Sequence, residues 1–420
     1  MNPKYLLFIL SINLISFSLS SQDVWSPKEI MKIKSINQTD ISNDGKYIAY
    51  VVREAIMKDK KSEFLSQIWV YNRGGSQSIQ YTFNEKSSTS PKFSPDGKKI
   101  AFLSSRSGKN QIWIMNTLGG EAKKLTDEKK GVRSIKWSPD GNNISFLKND
   151  DDTEEETKSK ENKTDVILVD KNFKYSHIYS YDFTKDSVIQ ITKGNFSVNN
   201  FDYSPKGGKM IFSHQDDTNI NTGFVNTDIS IIESDGSNMK NIISRPGLDS
   251  NPIFSRDGNK FAFISSGGRQ ESIGLRDVYI YDLKNQKTIK LSDTPNRDSN
   301  IISWSSDNNM VIISENVNTT SQVIMLPVNG NRYISWSYNK YKEGVISSVV
   351  KSKESDYIAL CYENLDSPVE VYVSNSNEPS FNKISSINNF DYPKLSRTEI
   401  ISWKSYDGKE IEGILTYPKN

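Results

Sequence analysis

The stretch that decides the fold is Phe93-Ser-Pro-Asp-Gly-Lys-Lys-Ile-Ala-Phe102, followed by Gln111-Ile-Trp-Ile-Met115. Its Ser-Pro-Asp-Gly segment, residues 94–97, has the sequence of a tight type I turn closed by a left-handed residue. The apolar residues on either side predict short strands, and a polar loop at residues 104–110 separates two of them. The unit therefore reads as strand, turn, strand, loop, strand.

The same unit recurs along most of the chain. We count about seven copies, of which the last two are degraded. The other copies and their later strands occupy residues 41–50 with 67–71, 135–146 with 177–181, 201–212 with 228–231, 252–264 with 277–281, 302–313 with 322–325, and 347–361 with 369–373. The turn residues are Gly45, Gly97, Gly141, Gly207 and Gly258, with Asn308 in the equivalent place, and they are 52, 44, 66, 51 and 50 residues apart.

A near-constant period of this length, built from short strands, is typical of a β-propeller. The sequence therefore predicts an all-β fold of about seven four-stranded blades over residues 40–394. The ring can close through a shared blade or by packing of the first blade on the last, and the sequence leaves both open. The long step contains a polar insertion, residues 149–163, which we interpret as a solvated, mobile loop. A calcium loop is the alternative, but its acidic residues do not follow a known ligand spacing.

The chain begins with a predicted targeting segment, residues 1–21. Lys4 precedes an apolar stretch at residues 6–19, and Ser18, Ser20 and Ser21 offer a cleavage site. A membrane anchor is the alternative, although the stretch is short for a span of roughly 20 apolar residues. We expect an exported protein, periplasmic or extracellular, without a stable membrane span. Residues 22–39 form an N-terminal segment with a short helix predicted after Ser26.

Composition and motifs point to few kinds of chemistry. The 53 basic and 51 acidic residues give a net charge of +2, which provides no electrostatic argument for nucleic-acid binding. The single cysteine, Cys361, is predicted to be a buried thiol, and the two histidines, His177 and His214, are expected on blade strands or edges. No metal-ligand spacing, nucleophile elbow, phosphate loop or dinucleotide motif occurs. We name no catalytic, cofactor-binding or metal-binding residue and expect no cofactor.

Four arginines in or beside predicted loops are candidates for substrate binding, because a guanidinium can bind a substrate carboxylate. They are Arg106, Arg269, Arg276 and Arg297. The simpler interpretation, which we prefer, is that they are ordinary solvated loop residues.

The last residues break the repeat. Ile401-Ser-Trp-Lys-Ser-Tyr-Asp-Gly-Lys-Glu-Ile-Glu-Gly-Ile-Leu415, followed by Tyr417-Pro418, predicts a hairpin with strands at 399–404 and 410–416. This block resembles the first hairpin of the peptidase domain in the prolyl oligopeptidase family, in its acylaminoacyl-peptidase and dipeptidyl-aminopeptidase branch. That family joins a propeller of TolB-like repeats to an α/β-hydrolase domain. We therefore assign residues 395–420 to the start of such a domain.

The resemblance implies a serine peptidase that hydrolyses short peptides by acyl transfer, with the propeller gating access to the active site. The nucleophile, acid and histidine of the family would lie beyond Asn420, so this chain alone is expected to be an inactive fragment whose partner is the missing hydrolase domain. A noncatalytic, TolB-like interaction propeller of the cell envelope is the alternative. A metal-centred propeller enzyme such as a lactonase ranks last, because acidic and histidine residues do not recur at strand starts.

Overall fold

The structure is a computed structural model that describes residues 25–58, 61–75, 77–166, 173–271, 273–337, 344–389 and 396–418. The predicted targeting segment lies outside the described residues. A short helix, α1 (Pro27–Ile30), precedes the first strand, and Ser26 and Glu29 cap it reciprocally as a capping box. The helix predicted after Ser26 is confirmed.

Four-strand antiparallel meanders follow one another along the chain. The first three sheets are β1 (Ser35–Ile41), β2 (Tyr47–Lys58), β3 (Lys61–Asn72) and β4 (Ser78–Gln80); β5 (Ser88–Phe93), β6 (Lys99–Ser104), β7 (Gln111–Asn116) and β8 (Lys123–Lys124); and β9 (Arg133–Trp137), β10 (Asn143–Asn149), β11 (Ser176–Asp182) and β12 (Ser187–Gln190). Helix α2 (Glu154–Glu161) lies between β10 and β11.

The next eight strands form a single sheet. They are β13 (Ser197–Tyr203), β14 (Lys209–Gln215), β15 (Asn226–Glu233) and β16 (Lys240–Ile243), then β17 (Gly247–Phe254), β18 (Lys260–Ser265), β19 (Asp277–Asp282) and β20 (Lys287–Lys290). Helix α3 (Ile220–Val225) precedes β15. Each half is an antiparallel meander, and a short parallel pairing of β15 with β17 joins the halves.

Two further four-stranded sheets complete the ring. They consist of β21 (Ser299–Trp304), β22 (Met310–Val317), β23 (Thr320–Pro327) and β24 (Ile334–Ser335), and of β25 (Gly344–Lys351), β26 (Tyr357–Asn364), β27 (Ser367–Asn375) and β28 (Asn382–Lys383). A separate hairpin, β29 (Thr398–Lys404) with β30 (Glu410–Thr416), ends the described chain.

The all-β propeller is confirmed, but the expected count of about seven separate blades is wrong. Five four-stranded sheets stand alone, and the other eight propeller strands form one sheet. The reason is local: the Thr227 hydroxyl and the main chain of Asp249 exchange hydrogen bonds of 2.9 and 3.0 Å, and these extend the pairing across the boundary. The predicted turn positions are correct, since all six turn residues adopt φ between 61° and 74°.

The glycine turns also hold neighbouring sheets together. A methyl group built on Gly141, Gly207 or Gly258 would lie 3.7, 3.3 or 3.2 Å from a proline ring in the preceding turn, which belongs to Pro95, Pro139 or Pro205. The proline therefore both fixes its own turn and packs on the next one. The core lies between sheets, as in the cluster around Trp304 that unites β18 and β19 with β22 and β23.

The ring closes by packing of the first sheet on the last. Each sheet takes its strands from one continuous segment, so no blade is shared between the two ends of the propeller. Buried apolar residues of β1 and β2 form one cluster with residues of β26 and β27, among them Cys361. At the same seam, Asn388 exchanges hydrogen bonds of 2.9 and 3.0 Å with the main chain of Lys34.

Candidate functional site

The meander topology gives the propeller two different faces. In each sheet the first two strands join at one end, and the second and third strands join at the opposite end. The turn face carries the glycine turns. The loop face carries the connections between second and third strands, including α2, α3 and residues 105–110 and 266–276, together with the connections between sheets. Because loops on a rigid scaffold usually carry function, the loop face is the candidate surface.

The terminal hairpin is held on the loop face. The carboxylate of Glu412 accepts hydrogen bonds of 3.0 and 2.5 Å from the main-chain nitrogen and the hydroxyl of Thr319, in the turn between β22 and β23. These hydrogen bonds lower the pKa of Glu412. The hairpin predicted at 399–416 is thus present, and it is positioned beside the loops rather than beside the glycine turns.

The hairpin exposes an unusual amount of apolar surface for a two-stranded element. Trp403 is 49% exposed and Ile414 is 51% exposed, and Ile411 and Leu415 also remain accessible. The indole of Trp403 covers Gly413, where a methyl group would approach its ring to 2.9 Å. An isolated hairpin is marginally stable in water, and exposed apolar strands normally pack against further structure.

A ring of polar residues surrounds the propeller axis. The first strand of each meander is the innermost one, and it contains a bulge. At five of these bulges a non-glycine residue adopts positive φ, namely Gln38, Ser90, Ser134, Asn251 and Ser348. Side-chain groups at these bulges connect neighbouring sheets. The main-chain nitrogen of Ser90 donates to the side-chain amide oxygen of Gln38 at 2.8 Å, and the main-chain nitrogen of Gln38 donates to the hydroxyl of Ser348 at 3.1 Å. The sequence analysis missed this ring; bulges leave no clear sequence signal.

Ion pairs lie beside the polar ring on the same innermost strands. Lys92 contacts Asp40 at 2.9 Å, and Lys136 contacts Asp202 at 2.9 Å. Asp40 also accepts a hydrogen bond of 2.9 Å from the main chain of Phe93 in the next sheet. These charges are paired with one another, so they connect adjacent sheets and leave no uncompensated charge for a ligand.

The four loop arginines do not form a shared site. Arg297 donates two hydrogen bonds, of 2.7 and 2.6 Å, to the buried carboxylate of Asp277. Burial opposes the ionisation of Asp277, yet the hydrogen bonds of Arg297 and Lys290 lower its pKa.

The other three arginines also have local roles. Arg106 donates to the hydroxyls of Ser104 and Ser88, Arg269 donates to the carbonyl of Leu275, and the main chain of Arg276 donates to the carbonyl of Arg297. The chain's own groups bind the guanidinium groups of Arg106 and Arg269, and Arg297 is structural rather than merely solvated.

Neither histidine forms an accessible catalytic pair. His214 makes a 2.8 Å hydrogen bond with the hydroxyl of Ser230, but both side chains are buried on adjacent strands, and burial lowers the histidine pKa. His177 is likewise buried, at 3.2 Å from the hydroxyl of Thr192. Both lie on blade strands as predicted. Cys361 is fully buried, and burial raises the pKa of its thiol to about 12, as expected for a structural cysteine.

The polar insertion contains more structure than predicted. Residues 154–161 form α2, whose N-cap Thr153 and third residue Glu156 make a capping box. Hydrogen bonds from Lys130 and Lys160 lower the pKa of Asp152, beside this helix, to about 2. The interpretation as a mobile loop is wrong for these residues, and the Thr-x-x-Glu spacing was the missed signal. Among the described residues, no group of three acidic, histidine or cysteine side chains is arranged to hold a metal ion.

A cavity on the loop face lies between β5–β8 and β9–β12. Its volume is about 420 Å³, and the described residues of its walls include Lys109, Lys130, Arg133 and Lys148 but no acidic side chain. None of these four residues was singled out from the sequence, because they come from three separate segments that only the fold brings together.

Comparison with known proteins finds relatives and solved structures that share parts of this architecture. Residues 64–166 match the Tricorn protease N-terminal beta propeller domain. A peptidase of Bacillus subtilis, the uncharacterized peptidase YuxL, is 36% identical over 80 residues, which cover 19% of this chain and 12% of the relative. Dipeptidyl-peptidase 5 of Porphyromonas gingivalis is 26% identical over 307 residues, 67% of this chain and 45% of that protein.

Solved structures agree on the fold. The acylaminoacyl peptidase of Pyrococcus horikoshii superposes with a TM-score of 0.71 at 20% identity, over 94% of this chain and 59% of that protein. An acylaminoacyl peptidase in complex with Z-Gly-Gly-Phe-chloromethyl ketone gives 0.72 at 19% identity, with 94% and 60% covered. The chain is a β-propeller, and it spans less than two thirds of each of these relatives and structures.

The relatives and the fold together confirm the resemblance stated from the sequence. The chain resembles the propeller part of proteins of the prolyl oligopeptidase family, and it shares the fold of acylaminoacyl peptidases. No helix in the described part of the chain combines the length and the apolar character that crossing a bilayer requires.

Proposed function

We propose that this chain is the propeller portion of an exported serine peptidase that hydrolyses short peptides by acyl transfer. The catalytic residues belong to an α/β-hydrolase domain that begins with β29 and β30 and continues past residue 420. The observation that carries the proposal is the hairpin itself, which follows the last propeller sheet and lies on the loop face with its apolar side chains exposed. A hydrolase sheet continuing from β30 would cover these side chains.

The propeller gates access to the active site in this proposal. With the hairpin on the loop face, the hydrolase domain covers that face, and substrates reach the catalytic serine past the surrounding loops. Because substrates must pass the covered face to reach the serine, extended peptides enter more readily than folded proteins.

Peptide hydrolysis by the complete gene product tests the proposal. We expect it to cleave short peptide p-nitroanilides and to lose that activity on reaction with a serine-directed fluorophosphonate, whereas residues 22–420 alone are inactive. A matched substrate series that ends in a folded protein should show cleavage of the short peptides only. A complete gene product that hydrolyses no peptide and does not react with the fluorophosphonate would favour the interaction propeller.

A further inference from the structure

The loop-face cavity between the second and third sheets has the chemistry of an anion site. Three segments form it: residues 105–110, the connection at 130–133, and the end of β10 at 147–149. Each segment contributes at least one cation, and none contributes an acidic side chain to the wall. Carboxylates are among the anions that lysine and arginine side chains bind with charge-assisted hydrogen bonds.

Two of the four cationic side chains form ion pairs with acidic side chains that lie behind the cavity wall. Lys148 is buried and contacts Glu128 at 2.8 Å and Asp151 at 3.3 Å. Lys130 contacts Asp152 at 2.5 Å. These two lysines therefore have little charge left for a ligand, and the ion pairs fix two sides of the cavity.

The other two cations remain available. The guanidinium of Arg133 donates to the neutral hydroxyl of Ser176 at 2.6 Å, which orients it without cancelling its charge. In the described part of the chain, neither Arg133 nor Lys109 forms an ion pair, and both are exposed. The amides of Asn110 and Asn149 add neutral donors to the same wall.

The backbone of the cavity is well defined. The main-chain nitrogen of Val132 donates to the carbonyl of Asn110 at 2.9 Å, which ties the connection at 130–133 to the loop beside it. Gly131 adopts a φ of 74°, and a methyl group there would lie 3.0 Å from the same carbonyl. The site is therefore preorganised, which reduces the entropic cost of binding.

We infer that this cavity binds the carboxylate of a short peptide through Arg133 and Lys109. The identification of the ligand as a peptide rests on the proposed peptidase function, whereas the anion site rests on the geometry alone. The cavity opens on the face that carries the hairpin, so a peptide held there lies on the side where the hydrolase domain would sit. A terminal carboxylate and an acidic side chain have the same chemistry, and the experiment separates them.

Calorimetric titration of the propeller chain with three peptides tests the inference. The probes are N-acetyl-Ala-Ala-Ala, its C-terminal amide, and N-acetyl-Ala-Glu-Ala amide. We expect one or both of the carboxylate-bearing peptides to bind and the neutral amide not to bind, with an affinity that falls as salt is added. Binding of the first identifies a terminal carboxylate, and binding of the third identifies an acidic side chain. Failure of both to bind would overturn the inference.

Charge-matched variants identify the site. Arg133→Gln and Lys109→Gln should each weaken binding by about tenfold, the loss expected for one charge-assisted hydrogen bond. Lys98→Gln removes one charge from an exposed position on the turn face and should leave binding unchanged. Equal affinities for all three variants would contradict the assignment. Because Lys109 lies on an exposed loop, Lys109→Gln still tests the site if Arg133→Gln fails to fold.

Hydrolysis is measured separately, so the two proposals fail in different ways. If the complete gene product cleaves peptides and Arg133→Gln leaves its KM unchanged, the peptidase function stands and the cavity is refuted as a binding site for the peptide substrate. If the chain binds carboxylate peptides through Arg133 but the complete gene product has no hydrolytic activity, the anion site stands and the proposed peptidase function is refuted.

Discussion

At the residue scale, the turn glycines provide a matched pair for measuring how a turn contributes to packing. Gly97 and Gly258 occupy equivalent turns with φ of 68° and 72°, but a methyl group would lie 3.9 Å from its nearest neighbour at Gly97 and 3.2 Å from Pro205 at Gly258. Gly97→Ala should cost about 1–2 kcal/mol for the left-handed backbone. Gly258→Ala should cost about 1 kcal/mol more because it also overpacks the neighbouring turn. Urea unfolding of both variants measures the difference, and equal costs would contradict the packing role.

The buried histidines predict an acid-sensitive fold. Burial lowers the pKa of His177 and His214 below the ordinary value of 6.5. The unfolded chain therefore takes up protons near pH 6.5 while the folded chain does not, and stability is lost as the pH falls through that value. The melting temperature should decrease between pH 7.5 and 5.5. The double variant His177→Gln, His214→Gln should flatten this slope, and an unchanged slope would assign the acid sensitivity to other groups.

Individual turn residues could be predicted from the sequence because positive φ selects glycine and asparagine so strongly. Arg133 could not, because its significance depends on Lys109 and on a cavity wall built from distant segments. The same holds for Arg297: its partner Asp277 is 20 residues away, and only the fold shows that the pair is structural.

At the scale of elements, Glu412 is the anchor that fixes the terminal hairpin. Glu412→Gln removes the charge from both hydrogen bonds to Thr319, while Glu410→Gln changes an exposed residue of the same strand. We expect trypsin to cleave at Lys404 and Lys409 several-fold faster in the Glu412 variant, since a detached hairpin is marginally stable. The melting temperature of the propeller should change little in either variant. Equal cleavage of the two variants would show that Glu412 does not hold the hairpin.

Local sequence signals predict the terminal hairpin accurately, and a local signal is also present at helix α2. The hairpin strands agree with the prediction to within one residue, because alternating strands around an Asp-Gly turn are a strong local signal. Helix α2 was missed although Thr153 and Glu156 have capping-box spacing. Its high charge suggested a solvated loop, and in fact the acids lie in its first turn and lysines in its last, as the helix dipole favours.

At the scale of the whole molecule, stability depends on the seam where the first sheet meets the last. The side chain of Asn388 is buried and makes three hydrogen bonds, two to Lys34 and one to the carbonyl of Val369 at 3.1 Å. Asn388→Ala should cost about 2–4 kcal/mol, because main-chain groups are left buried without partners. Asn285→Ala, which removes an exposed contact with Asp282, is the control and should cost far less. Similar losses in urea unfolding would contradict a seam held by Asn388.

The repeat period predicts a ring of sheets. It does not predict how the ring closes or that two meanders join into one sheet. Closure depends on contacts between residues more than 300 positions apart, such as Gln38 with Ser348. The union of β15 with β17 depends on a short parallel pairing and on the Thr227 hydroxyl that extends it to Asp249. Such contacts add little to the local pattern of a sequence, and yet they decide how many sheets the ring contains.

The most direct test of the central claim is to read the coding sequence past the codon for Asn420 and to confirm the result by the intact mass of the native protein. The account predicts an open frame of about 200 or more further residues with a Gly-x-Ser-x-Gly motif followed by an acid and a histidine, and a mass to match. A stop codon directly after Asn420, with a native mass no greater than the 47.7 kDa of this chain, would contradict it and leave a propeller without a catalytic domain.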